Sequence, residues 1–388
     1  MKAFGGESRP FEIKGGVRQG CNIAPLLFNI SLDFVTKHAA SQFASNGRKA
    51  GVSFKFSFEG KPFIVPAEGV GDLELLAILM YADDMALVAE DDEQLNHQIQ
   101  VLEAVTKRWG LTINVRKTKI WRGDWLTDPD APPPEITIRG GVLEEIEDFK
   151  YLGSTLAVSG GLEKELGRRE AQAIGRFARL KWIWDHKLIT VQTKMKFYRA
   201  FIPPTLLYGC ESWATTKEQE RQLNVVHMRF LRKIQGITIR DKQRNAKIAA
   251  RCTIPQVPAL LSLARMRWAG HLIRMGNDRL PKKTFFGALV EEGRRGQGRP
   301  PQRLAETYQK DFKEVAQAYK KKFGVVIDEA CFLDGPDPTR RVTRSAAEKM
   351  FVSWWTLAED KETWRACLLE AWTRKPFALT GYPVGSAH

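Results

Sequence analysis

The 388-residue chain is 43% apolar with a formal charge of +15, enough hydrophobic material for more than one core and too much for a disordered polymer. Five scattered cysteines (Cys21, Cys210, Cys252, Cys331, Cys367) form no C-x-x-C pair and have no histidine at ligand spacing, so neither a disulfide framework nor a zinc knuckle is indicated. No apolar run reaches the roughly 18 to 20 residues of a membrane span, and MKAFGGESRP lacks a signal-peptide apolar core; the expectation is a soluble, intracellular protein, nuclear or cytoplasmic.

The charge is segregated. Residues 1–150 hold 17 Lys and Arg against 22 Asp and Glu, a net −5, whereas residues 151–388 hold 43 against 23, a net +20. A basic half interleaved with Trp, Phe and Tyr suits a polyanion, because phosphate neutralisation supplies most non-specific nucleic-acid affinity.

Along the chain, a glycine-punctuated extended segment, Lys14 to Gly20, leads into a helix that Pro25 opens and that continues to Phe34. Residues 41–72 are Gly- and Ser-rich with short alternating stretches and predict a hairpin or loop excursion. Leu75–Tyr81 and Met85–Ala89 flank Ala82-Asp83-Asp84 and predict a β-hairpin with an acidic tip. Asp91, with Gln94 three positions on, has the form of a capping box for a helix ended by Gly110. Leu111–Asn114 then predicts a strand. A Pro/Asp loop (Asp124–Pro134) precedes a strand and turn at Phe149–Ser154, and from Gly161 the pattern is helical. Glu292–Pro301 is a basic break before a final helical pair. The fold class is α+β, an antiparallel sheet with helices behind it followed by a mostly helical region.

Two adjacent carboxylates in an apolar run repel each other, and a divalent cation is the natural compensation; hard oxygen donors favour Mg²⁺ or Mn²⁺. Asp is also simply a good turn former, so the neighbours decide. Tyr81-Ala82-Asp83-Asp84 follows Gly16-Val17-Arg18-Gln19-Gly20 and Pro25-Leu26-Leu27-Phe28-Asn29. It precedes Gly110-Leu111-Thr112-Ile113-Asn114, Lys117-Thr118 and Tyr151-Leu152-Gly153. This ordered series resembles the palm of a reverse transcriptase, more narrowly that of non-LTR (LINE-type) retrotransposons. Tyr208-Gly209-Cys210-Glu211-Ser212-Trp213, the RWAGHLIRM segment from Arg267, Gly298-Arg299-Pro300 and Leu357-Ala358-Glu359-Asp360 with Trp364-Arg365 resemble the region after the polymerase in such elements.

The resemblance implies an RNA-directed DNA polymerase that extends a 3′-hydroxyl primer with dNTPs on an RNA template. It implies a partial palm over 1–155, a helical thumb or connection-like region over 156–290, and a basic linker with C-terminal helices over 291–388. Asp83 and Asp84 match the metal-binding, catalytic pair, and Lys117 the lysine directed at the triphosphate. Gln19 and Gly20, with Tyr81 and Ala82, match substrate contacts. Tyr151, Leu152 and Gly153 match the primer-grip hairpin, although Tyr151 and Leu152 equally suit a core. Arg168, Arg169, Arg176, Arg179 and Lys181, and Arg294, Arg295 and Arg299 further on, are the expected nucleic-acid contacts. His271 reads as a structural histidine, and Phe177, Trp182 and Trp184 as helix core rather than base-stacking platforms.

The sequence departs from the family pattern at two points. Ala24 replaces the usual Ser before the helix proline. The family's third metal carboxylate, upstream of the Gln-Gly motif, has no counterpart, since Glu7 and Glu12 lie outside any apolar strand pattern and Asp33 and Asp72 are out of order. The expectation is a chain that begins within a polymerase; the alternative is a catalytically inactive relict that only binds nucleic acid.

Overall fold

The computed structural model describes residues 2–3, 6–7, 21–44, 50–58, 71–122, 135–289, 304–323 and 354–372. Helix and small, mainly antiparallel sheets mix among them, giving the α+β character expected. In chain order the elements are β1 (Lys2–Ala3), β2 (Gly6–Glu7), α1 (Ala24–Phe43), β3 (Val52–Phe56), β4 (Asp72–Leu76), β5 (Ile78–Tyr81), β6 (Asp84–Leu87) and α2 (Asp92–Arg108). Then come β7 (Lys119–Ile120), β8 (Thr137–Ile138), β9 (Gly141–Val142), β10 (Glu144–Glu145), β11 (Asp148–Tyr151) and β12 (Ser154–Ala157). Two compact units result. The first holds α1, β5 to β10 and α2; the second holds most of β3 and β4, the β11–β12 hairpin and all later elements.

In the first unit, α1 starts with Pro25 in its opening turn, where the missing N–H costs nothing, and it runs past the expected end at Phe34 to Phe43. Strands β5 and β6 pair with Ile78 opposite Leu87 and Met80 opposite Met85. Alternate strand residues share a face. Ile78, Met85 and Leu87 pack with Val35, Ala39 and Phe43 of α1 and Leu102 and Val105 of α2. Leu79, Tyr81, Asp84 and Ala86 therefore occupy the opposite face, and two helices back a hairpin. Asp91 caps α2 by accepting the Gln94 N–H at 2.7 Å. The Gln94 side chain does not complete a capping box; its Oε1 accepts from the N–H groups of Glu90 and Gly51 at 2.8 and 3.2 Å. The outer side of α1 leaves Leu26, Leu27, Ile30 and Phe34 exposed, with Phe34 edge-on to Trp109 at 5.1 Å.

The strand expected at Leu111–Asn114 does not form. Asn114 accepts the Lys117 N–H through its carbonyl at 3.1 Å and its side-chain oxygen at 3.3 Å, which bends the chain into a turn. The strand lies later, as β7, paired in parallel with β10. Ile120, Ile136, Ile138 and Leu143 close a small second core on Ile99 of α2.

In the second unit, β3 pairs antiparallel with β13 (Gly287–Leu289), Phe56 facing Gly287, and neighbours β4 on its other side. The excursion expected over 41–72 is thus in part a strand whose partner lies far downstream. Leu75 and Leu76 belong to β4 rather than to the acidic hairpin. The helices are α3 (Glu163–Arg179), α4 (Lys181–Asp185), α5 (Val191–Phe201), α6 (Pro203–Leu206), α7 (Lys217–Gln235), α8 (Asn245–Arg251), α9 (Val257–Ile273) and α10 (Leu280–Phe285). After β13 follow α11 (Leu304–Phe323), α12 (Trp354–Glu359) and α13 (Lys361–Trp372).

Helix α9 organises this unit. A helix apolar on all sides must be buried, and α9 gives Val257 and Leu261 to a core with α3 to α8, and Met266, Ala269 and Leu272 to a core with α10 to α13. Within it Arg265 pairs with buried Asp311 at 2.6 Å, and the Ser262 hydroxyl donates to the same carboxylate at 2.6 Å. Gly270 lies so close to Trp364 that a β-carbon would overlap the indole, whose Nε1 donates to the Met266 carbonyl at 2.9 Å. The RWAGHLIRM and Trp364-Arg365 motifs are two sides of one packing contact. His271 is exposed beside Trp268, at 5.4 Å between rings, rather than interior. No described helix is long and apolar enough to cross a membrane.

Candidate active site

The acidic hairpin is tighter than the sequence suggests. Tyr81 pairs with Asp84 across the ladder, so the turn itself is Ala82-Asp83, and Ala82 takes φ +53°, a left-handed conformation unusual for a residue with a β-carbon. Tyr81, Ala82, Asp83 and Asp84 are all exposed. Asp83 sits in the turn and Asp84 begins β6, on the face turned away from the helices. Among the described residues no cation pairs with either carboxylate. Two adjacent, unpaired carboxylates on a rigid strand end fit a hard divalent cation as part of its oxygen donor set. They are a pair only, since among the described residues no group of three His, Cys, Asp or Glu side chains could hold a metal ion. Lys117 is exposed in the same unit, in the turn that Asn114 closes. Gln19 and Gly20 lie outside the described residues, as do Arg294, Arg295 and Arg299.

The second hairpin belongs to the other unit. Phe149 faces Leu156 and Tyr151 faces Ser154, leaving Leu152-Gly153 as a two-residue turn with φ +46° and +85°, the primed geometry that suits hairpin twist. The Tyr151 ring stacks on Phe149 at 5.8 Å, and Leu152 is exposed.

This turn is held from beneath. Tyr208 donates its hydroxyl to the Leu152 carbonyl at 3.0 Å, and Arg168 and Arg169 both donate to the Gly153 carbonyl. The Thr155 N–H donates to Glu165 Oε2 at 2.9 Å, and Glu165 pairs with Arg168 and Arg169, each at 2.6 Å. The Arg169 guanidinium also lies over the Tyr208 ring at 4.4 Å. Burial alone would raise the Glu165 carboxyl, but the hydrogen bonds from Arg168, Arg169 and the Thr155 N–H outweigh it and hold the group below its ordinary value. Arg169 is buried and Arg168 half-buried, so both serve the hairpin. The sequence places Tyr208 in a motif without marking this contact and does not single out Glu165, although Glu165 stands at i,i+3 and i,i+4 from the two arginines, the spacing of helical ion pairs.

Arg176, Arg179 and Lys181 stay exposed at the end of α3 and the start of α4. Phe177 stacks on buried Trp184 at 4.8 Å, whereas Trp182 faces solvent.

Residues 2–156 match the reverse transcriptase (RNA-dependent DNA polymerase) family. The chain is similar to a transposon-derived protein of Caenorhabditis elegans, 25% identical over 305 residues that cover 76% of this chain and 95% of that one. It is also similar to the RNA-directed DNA polymerase from the mobile element jockey of Drosophila funebris, 22% identical over 58% of this chain and 22% of the relative. The polyprotein of the type-1 retrotransposable element R2 of Popillia japonica is 24% identical over 58% of this chain and 33% of the relative. The chain thus spans a third or less of these two polymerases. No solved structure matches. The matched family depends on a divalent metal in general, with nucleic acid as template and nucleotides as substrates.

Proposed function

We propose that the chain is a segment of an RNA-directed DNA polymerase of a non-LTR retrotransposon, adding dNTPs to a 3′-hydroxyl primer on an RNA template. In this reading 1–155 is a partial palm, 156–290 a thumb or connection-like region and 291–388 a basic linker with terminal helices. The observation that carries it is the β5–β6 hairpin: two carboxylates, exposed and without cation partners among the described residues, projected from a helix-backed turn inside the family-matched segment. Asp83 and Asp84 would hold Mg²⁺ or Mn²⁺, which when bound lowers the pKa of the attacking hydroxyl and neutralises charge on the phosphates. Lys117 would offer an ammonium to the triphosphate. Gln19 and Gly20, with Tyr81 and Ala82, would meet the nucleotide and templating base. Tyr151, Leu152 and Gly153 would grip the primer end, with Arg168, Arg169, Glu165 and Tyr208 acting as positioning residues. Arg176, Arg179 and Lys181, with Arg294, Arg295 and Arg299, would meet phosphates.

A second reading, a relict that binds nucleic acid without catalysis, is favoured by one observation: only two carboxylates gather at the tip among the described residues. Template-dependent dNTP incorporation by the purified 388-residue chain, measured beside its RNA binding, separates the two. Incorporation supports the polymerase; salt-sensitive binding without incorporation supports the relict.

A further inference from the structure

The helical unit carries a second concentration of positive charge, away from α3. Between Arg232 and Arg251 the sequence places seven cations against one acid, Asp241. The structure sorts them. Arg232 donates to Asn245 Oδ1 at 2.6 Å and Lys233 pairs with Asp185 at 2.6 Å, so these two fasten α7 to its neighbours. The Asp241 carboxylate accepts from the Thr238 N–H at 2.6 Å and its hydroxyl at 3.0 Å, closing the single 3₁₀ turn Ile239–Asp241 from within.

What remains faces outward. Arg240 lies in the turn and Lys242 ends it, Arg244 is the extended cap before α8, and Lys247 and Arg251 follow four apart within the helix. All five are exposed, with no ion pair among the described residues. The spacing places Lys247 and Arg251 on one stripe, about one 5.4 Å turn apart, with Arg244 at the helix start. The opposite side of α8 is anchored, with Ile248 and Cys252 buried in the helical core. Arg251 is steadied by donating to Gln243 Oε1 at 2.9 Å. Beside this stripe Ile239 is 82% exposed at the tip of the turn, an apolar side chain placed among cations, where it would lie against sugar or base surfaces.

We infer that the elbow from Ile239 to Arg251 is a binding surface for the sugar-phosphate backbone of a nucleic acid. Charge complementarity argues for that occupant: a polyanion with a charge every ~1.7 Å of duplex axis matches a row of unpaired cations on a rigid helix. The inference rests on the polymerase reading only for the identity of the polyanion. It makes α8 a holder of template or target strand separate from the primer-grip hairpin.

The test is fluorescence anisotropy of the full chain with a labelled single-stranded RNA and a labelled DNA duplex across a salt series. The variants are Arg244→Gln/Lys247→Gln/Arg251→Gln and, as a second set on the turn, Arg240→Gln/Lys242→Gln. For the triple variant the slope of log affinity against log salt should fall by about 2 to 3, at ~0.7 to 0.9 for each phosphate no longer neutralised, with affinity at least tenfold weaker and an unchanged thermal melt. Should the triple variant not fold, the turn variant decides by a fall of about 1 to 2. The arm that shows the larger change, RNA or DNA, identifies the strand held. Wild-type binding with unaltered slopes in the variants overturns the inference and leaves the polymerase reading intact. Binding to neither nucleic acid, but to phosphatidylserine vesicles, overturns both.

Discussion

Arg169 and Glu165 form a buried pair that fixes the Leu152-Gly153 turn onto α3. Removing one partner of a buried pair leaves the other charge without compensation, which costs ~3–5 kcal/mol. Glu165→Gln should therefore lower unfolding free energy by about 3 kcal/mol in urea titrations, and the amides of β11 and β12 should exchange hydrogen faster. His227 is buried, with Nδ1 2.8 Å from the Tyr198 hydroxyl, and burial lowers its pKa from 6.5 to about 4. On acidification the unfolded chain takes up this proton first, so the contribution is fully present above pH 6.5 and is lost as pH falls toward 4. Between pH 7 and 5 the loss is about 2 kcal/mol, at ~1.36 kcal/mol per pKa unit. Urea midpoints for wild type and His227→Gln measure it; the variant should show the shallower decline.

At the scale of elements, Gly270 and Trp364 couple α9 to α13. Gly270→Ala forces the indole aside and should cost about 1–3 kcal/mol, as overpacking does, read as a lowered thermal midpoint. The acidic hairpin was legible in the sequence because its turn is local, although the pattern predicts the turn over Ala82-Asp83-Asp84 and the structure closes it over Ala82-Asp83, while Phe149–Ser154 predicts a strand and turn that the structure completes with β12. The cap at Asp91 was legible for the same reason. The strand misplaced at Leu111–Asn114 has apolar alternation, but the Asn114 side chain captures the Lys117 N–H, a competition that alternation does not report. The sheet around β3 was hidden because its partner β13 is remote in sequence. Arg168 and Arg169 read as surface cations, since an Arg on a helix carries no mark of the carbonyl it will meet.

For the whole molecule, the charge is segregated by sign, and the structure divides the basic half into cations that hold the fold and cations that face water. The family match lies over the acidic end, where the carboxylate hairpin stands. The central claim is that this hairpin performs nucleotidyl transfer while the helical unit holds the strands. It is tested most directly by Asp83→Asn in the full chain, assayed in one preparation for Mg²⁺-dependent incorporation and for RNA binding. Incorporation reduced on the order of 10²–10³-fold, with RNA affinity and its salt dependence unchanged, is the result expected; incorporation that survives the substitution would contradict the account.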